Sequence, residues 1–349
     1  QSFVCIKVDR EESPDVDALY MTACQITTGG GGWPLNVFVE PNTLKPFYAG
    51  TYFPPQSRYG RLSWRQLLEG VASAWQNQRQ EILDSSQMIT EQIQRSASGA
   101  ASSQDVETLV EQAIAAAINH SKNNYDHVNG GMGGAPKFPH PMEMEALLRA
   151  GEYDHVALSL DLMASRGLFD HLAGGWHRYC VDAGWAVPHF EKMLYDNALL
   201  ARAYVDAYRV TGAEDLRDVA EDTLDYIASD MRAPSGGFYA ARDADSEGEE
   251  GVFYVWRPDE VEATLGAEEA SLFMRVYDVS KGGNFEGNSI LHLPHEIRAV
   301  ARAADLDPDD VVARLARSRV VLLEKRSHRE PPFRDEKVLV AWNAMAIRA

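Results

Sequence analysis

The chain has 349 residues, 45% of them hydrophobic and 9% aromatic, with a formal net charge of −19. That length leaves room for two or three domains with packed cores. The acidic balance repels a nucleic-acid backbone and an anionic membrane surface, so neither is an expected partner, and neutral polar small molecules are. Three widely spaced cysteines, Cys5, Cys24 and Cys180, form no C-x-x-C pair. They supply neither a disulfide framework nor a zinc ribbon, and a reducing, cytoplasmic setting is expected. No apolar run reaches the ~18–20 residues that span a bilayer.

The first element in chain order is a strand over residues 3–8 (FVCIKV), followed by a helix over 15–25 with Val16, Leu19, Tyr20 and Ala23 on one stripe. The run TTGGGGWPLNVFVEP comes next. A phosphate loop would follow its glycines with Lys, Ser or Thr and a helix, whereas here Trp33 and Pro34 lead into a strand over 35–39. The segment KPFYAGTYFPP reads as the return strand of a hairpin. Ser63 can cap a long helix from residue 64 to about 95, and SASGAASS at 96–103 reads as a linker. Beyond it helices dominate, over residues 106–122, 141–150, 156–172, 188–210, 213–231, 259–265, 309–324 and 335 to the end. Four similar loops separate them, at Gly130, Ala173, Ser235 and Gly282, each with a Gly-Gly pair and an aromatic close behind. That recurrence indicates repeated helical hairpins, with the loops expected to rim a cavity. The start reads as mid-strand and the end as mid-helix, as expected of a piece of a longer protein.

The densest chemistry lies in GGWHRYCVDAGWAVPHFEKMLYDNALL, residues 174–200. With Pro188 at the first helical position, His189 and Glu191 fall in the first turn, and His189, Lys192 and Asp196 share one face. A histidine there can carry a proton at neutral pH, or the pair can simply cap the helix. The acidic loop Asp243, Asp245, Glu247, Glu249 and Glu250 begins like a calcium loop, but its twelfth position is Tyr254, so an EF-hand fails. Its carboxylates can serve acid–base chemistry or form a solvated charge run. Cys180 and His177 offer a weaker Cys–His pairing. His127, His140, His155 and His171 lack metal-ligand spacing, and no metal or cofactor is expected.

FVCIKVDREESPDVDALYM, GGWPLNVFVEP, FYAGTYFPP, GGMGGAPKFPHP, DADSEGEEGVFYVW and DEKVLVAWNAM, together with the dense segment, resemble the spermatogenesis-associated protein 20 family over nearly the whole chain. The resemblance implies an α/β thioredoxin-like domain over 1–95, a linker over 96–103 and an all-α (α/α)6 six-hairpin toroid over 104–349, both domains partial. It places Pro34 at the thioredoxin cis-proline. The family's C-x-x-C-like motif lies upstream of this chain, so dithiol exchange is not expected from these residues. The toroid is similar to those of sugar epimerases and isomerases. On that likeness His189 transfers a proton with Glu191, Asp243 or Asp245 as partner. Trp176, His177, Arg178, Trp185, Tyr239 and Trp256 contact a carbohydrate. A thiol–disulfide oxidoreductase or redox-linked regulator in a longer parent, and a scaffold without turnover, are the alternatives.

Overall fold

The computed structural model describes residues 2–58, 60–98 and 105–349. The chain divides into two compact units, Gln1–Asp105 and Val106–Ala349. Of the expected linker, residues 96–98 are helical and 99–103 lie outside the described residues.

The first unit begins with α1 (Pro14–Thr28), which has Pro at its N-terminus and Asp15 and Asp17 in its first turn, where the helix dipole favours acids. Gly29, at φ 76, closes it by donating its N–H to the Gln25 carbonyl. Strands β1 (Asn36–Val39) and β2 (Pro46–Gly50) form an antiparallel hairpin, with Val37 opposite Ala49 and Phe38 opposite Tyr48. The Glu40 carboxylate accepts the N–H groups of Asn42 and Thr43 and the Thr43 hydroxyl, which together bring its pKa down to about 2. Ser63 and Gln66 form a reciprocal capping box at the start of α2 (Trp64–Asn77). The single long helix expected here breaks at Gln78 and resumes as α3 (Arg79–Ser98). Helices α1 and α3 pack against β2 and against each other. The Trp33–Pro34 peptide bond is cis. The expected strand over 3–8 does not form: among the described residues no strand pairs with it, and Val4 and Ile6 are exposed. A strand without a ladder partner has nothing to satisfy its backbone.

The second unit contains α4 (Val106–Asn123), α5 (Pro141–Arg149), α6 (Tyr153–Ser165), α7 (Leu194–Thr211), α8 (Glu214–Asp230), α9 (Pro258–Leu265), α10 (Ala267–Tyr277), α11 (Ile297–Ala303), α12 (Pro308–Arg326) and α13 (Val340–Arg348). Short connections pair α5 with α6, α7 with α8, α9 with α10, and α11 with α12 as hairpins. Across hairpins α5 meets α7, α7 meets α13, and α12 meets α9 and α10. Helices α10 and α11 were not legible in the periodicity, and the last helix starts at Val340 rather than 335.

The helix expected over 188–210 begins only at Leu194, because Pro188 and its neighbours are drawn into short strands. β3 (Tyr179–Cys180) pairs with β4 (Pro188–His189). β5 (Lys192–Met193) pairs with β6 (Ala241–Arg242), which pairs with β9 (Arg334–Asp335). β7 (Asp245–Ser246) and β8 (Glu249–Glu250) close the acidic loop as a hairpin.

Two of the glycine loops, at Gly130 and Ala173, share a hydrogen-bonded clasp. Asp126 donates its N–H to the Gly131 carbonyl and accepts from Gly130 N–H, and Asp170 repeats both bonds with Gly175 and Gly174. In each clasp the Asp side chain also takes two nearby N–H groups and a buried lysine, Lys137 or Lys192. Bridges Tyr125–Met132 and Phe169–Trp176 flank the two turns. Gly175, at φ 79, would place a Cβ 2.4 Å from the Tyr226 ring, and Gly131, at φ 71, would place one 2.6 Å from Trp185. These glycines let aromatics close onto the turn, so these two loops seal the core instead of rimming a cavity.

Candidate functional site

Around β3, β4 and the acidic hairpin the second unit holds a half-buried polar cluster. Tyr179 and His189 face each other across the β3–β4 ladder with rings stacked at 5.0 Å. Phe138 stacks on Tyr179 at 4.6 Å and is partly exposed, so three rings form a row. The Nδ1 of His189 lies 2.7 Å from Glu250 Oε1, which also accepts the Phe190 N–H. A carboxylate can only accept, so Nδ1 carries a proton, and in the neutral ring Nε2 is then the lone-pair nitrogen. Nε2 sits 3.9 Å from Glu191 Oε2, and that oxygen holds Arg178 Nη1 at 2.5 Å. Arg178 and Glu191 are also joined through the backbone, at 2.8 Å. The side chains of His189, Arg178 and Glu191 each retain between 24% and 29% of their exposure, enough to meet a ligand without being fully wet. Asp196 lies behind them in the first turn of α7, where burial pushes its carboxyl up to about 7 against the pull of Arg178.

Beneath the cluster is a buried ion network. Asp170 accepts Lys192 Nζ at 2.8 Å and both terminal nitrogens of Arg326 at 2.9 and 2.8 Å. Burial alone would raise the Asp170 pKa, but Arg326 and Lys192 override it and hold the carboxyl well below the usual range. Lys192 lies 4.3 Å from the centre of the Tyr226 ring, and burial lowers its pKa. His177 packs edge-on against Phe190 and Tyr254 with Nδ1 at 3.0 Å from the Phe190 carbonyl. Burial, then the Lys192 charge, lowers its pKa to about 3, so it is neutral near pH 7.

The expected ligand-stacking tryptophans are core residues. Trp176 is fully buried, donates to Thr223 Oγ1 at 3.0 Å and stacks on Tyr204. Trp185 is fully buried and donates to the Asn129 carbonyl, and Trp256 is fully buried beneath Arg329. Tyr239 lies almost buried under Arg334 at 4.5 Å. None of these rings offers a face to a ligand: the clasps draw Trp176 and Trp185 inward, and Arg329 and Arg334 cover Trp256 and Tyr239. His177 is likewise buried, away from any ligand. Of the expected catalytic carboxylates, Glu191 stands 3.9 Å from His189. Asp243 turns back on the Ala244 N–H, and Asp245 pairs across the hairpin with Glu250. Glu250 is the acidic-loop residue that bonds His189, and it was legible only as one of five acids. Tyr179 and Phe138 were missed as a ring platform. Two-residue strands carry too few positions to show an alternation that would point to these rings. Cys180 is buried and its thiol pKa is driven up by burial, which leaves no thiolate for Cys–His chemistry. Among the described residues no three or more His, Cys, Asp or Glu converge on a metal position, and no helix is long and apolar enough to cross a membrane.

Comparison with known proteins places the chain. Residues 1–94 match the family model Thioredox_DsbH, described as a protein of unknown function, DUF255. Over 99% of its length the chain is 36% identical to spermatogenesis-associated protein 20 of Homo sapiens, of which it covers 49%. The chain is a relative of spermatogenesis-associated protein 20. The Mus musculus protein of that name is 34% identical with 48% covered, and an uncharacterised protein of Caenorhabditis elegans is 33% identical with 51% covered. The chain thus spans about half the length of the curated relatives it matches. The architecture is a thioredoxin-like α/β unit followed by an array of α/α hairpins. Among solved structures, cellobiose 2-epimerase from Bacillus thermoamylovorans aligns at 16% identity and TM-score 0.35 over 64% of this chain and 72% of its own. A sugar epimerase from a ruminal bacterium aligns at 14% and 0.33, over 63% and 74%. At those scores neither bears on what this chain binds.

Proposed function

We propose that the helical unit binds a neutral, ring-bearing polar small molecule of the carbohydrate class and moves a proton on it, as an isomerase or epimerase does. The observation that carries this reading is His189: its Nδ1 is held by Glu250 at 2.7 Å and its Nε2 is left as a base beside the Arg178–Glu191 pair. An orienting carboxylate behind an imidazole fixes its tautomer and stabilises the imidazolium that forms. In the proposed step Nε2 takes a proton from a carbon beside a carbonyl. The C–H electron pair moves into an enediolate, and Arg178 offsets the oxyanion. Return of the proton to the former carbonyl carbon, with the hydroxyl proton of the first carbon moving to the other oxygen, isomerises the sugar; return to the opposite face of the original carbon epimerises it. The Phe138–Tyr179 row supplies the apolar face on which a sugar ring stacks. The net charge of −19 favours a neutral substrate over an anionic one. The cytoplasm is the setting this reading assumes, on the strength of three free cysteines.

The test is thermal shift with a panel of mono- and disaccharides, followed by NMR in D2O for loss of the carbon-bound proton signal. A stabilising sugar whose exchange is lost in His189→Gln by at least about 100-fold is the expected result. If no sugar stabilises the protein or exchanges, and His189→Gln changes nothing, the reading is wrong.

A further inference from the structure

Asp196 is 8% exposed, and its Oδ2 is buried without a hydrogen-bond partner. A buried carboxyl oxygen with no donor is costly, so its presence beside the cluster calls for a reason. Among the described residues the charges that act on it are those of Arg178 and Glu191, and the elements packed on α7 (α5, α6, α8, α13 and β5 with its Lys192) supply none. Arg178 carries five N–H donors. Its side chain meets Glu191 and the Met193 Sδ, both through Nη1, which leaves Nε and Nη2 uncommitted among the described residues. An acceptor lacking a donor and a cation with spare donors thus lie within electrostatic reach of each other.

We propose that Asp196 is a positioning residue of this cluster: neutral, it leaves the Nε and Nη2 donors of Arg178 unused, and ionised, it takes them and fixes the guanidinium between itself and Glu191. The proton passes to solvent, and no bond other than O–H breaks. Burial of the carboxyl, opposed by Arg178 and reinforced by Glu191, sets the exchange near pH 7. What the fixed guanidinium does for a substrate rests on the carbohydrate reading, but the Asp196–Arg178 coupling does not.

The experiment is therefore ligand-free: NMR titration of the Asp196 side-chain carboxyl carbon and the Arg178 guanidinium nitrogens in the full chain. Both are expected to inflect at one midpoint near pH 7. Glu191→Gln should lower that midpoint, since the Glu191 charge raises it. Asp196→Asn should erase the Arg178 inflection. An Asp196 midpoint in the ordinary carboxylate range near 4, or an Arg178 signal that does not follow it, overturns the proposal. The wild-type titration decides even if Asp196→Asn fails to fold. Should a substrate be found, the pH profile of kcat/KM gains an inflection near 7 that Asp196→Asn removes. A sugar panel without hits would end the carbohydrate reading and leave the titration untouched.

Discussion

Asp170 holds two cations, Lys192 and Arg326, in a space closed to water. Removing a partner from a buried ion pair costs more than the pair contributes, because the remaining charges cannot be solvated. Asp170→Asn is expected to destabilise the helical unit by about 3–5 kcal/mol in denaturant unfolding, while a surface carboxylate such as Asp309 lost to Asn stays under about 1 kcal/mol. Asp196 works in the opposite sense. Its folded pKa, about 7, lies above its unfolded value of 3.8, so the folded state binds the extra proton between those limits. Its contribution is fully present below pH 3.8 and is lost as pH rises through 7. Asp196→Asn should thus raise stability at pH 8 by up to about 4 kcal/mol relative to wild type and change little at pH 4. Equal effects at both pH values would contradict the burial argument.

The clasp is the element that repeats, and its glycines are read most easily through their neighbours. Gly175→Ala must fit a methyl against Tyr226 in a left-handed backbone. Strain of roughly 1–2 kcal/mol and overpacking of roughly 1–3 kcal/mol should add there. Thermal unfolding checks it, with Gly236→Ala as the control, which shares a positive φ but meets nothing within 4 Å. At the other end of the chain the capping box of α2 predicts a loss of about 1 kcal/mol for Ser63→Ala. Helix stripes and caps such as these were legible because their periods are local. The strands β3 to β6 were not, because two-residue ladders carry too few positions to show alternation. The Pro-His-Phe-Glu run then passed for a helix N-terminus, although Pro188 in fact pairs with Cys180.

On the scale of the whole molecule, two buried histidines govern behaviour in acid. Burial lowers His171 to about 4 and His177 to about 3. An unfolded chain protonates both near 6.5, so it binds more protons below that value and stability falls as pH drops from 6.5 towards 4. The two histidines contribute a slope of about two protons over that window and Asp196 offsets about one of them, so the unfolding free energy should follow about one proton net, Asp196→Asn should raise that towards two, and His177→Phe should remove about one. A flat profile would mean that water reaches these sites. The acidic surface, at −19, sharpens the contrast, since lowering the pH relieves its self-repulsion while charging the core.

Helix periodicity, the Ser63 cap, the recurring Gly-Gly-aromatic loops and the long family motifs sufficed to place a thioredoxin-like segment before an array of helical hairpins. The same pattern could not say which way a tryptophan points. Glycine permits both a cavity rim and a close-packed turn, and only the positions of Tyr226 and Trp185 against those glycines decide for the turn. Likewise five acids in one loop are equivalent along the chain, and Glu250 became the partner of His189 through a two-residue hairpin lying across the β3–β4 ladder. Local composition fixes propensities over one or two turns of chain. Partner choice between residues some 60 positions apart is made by packing.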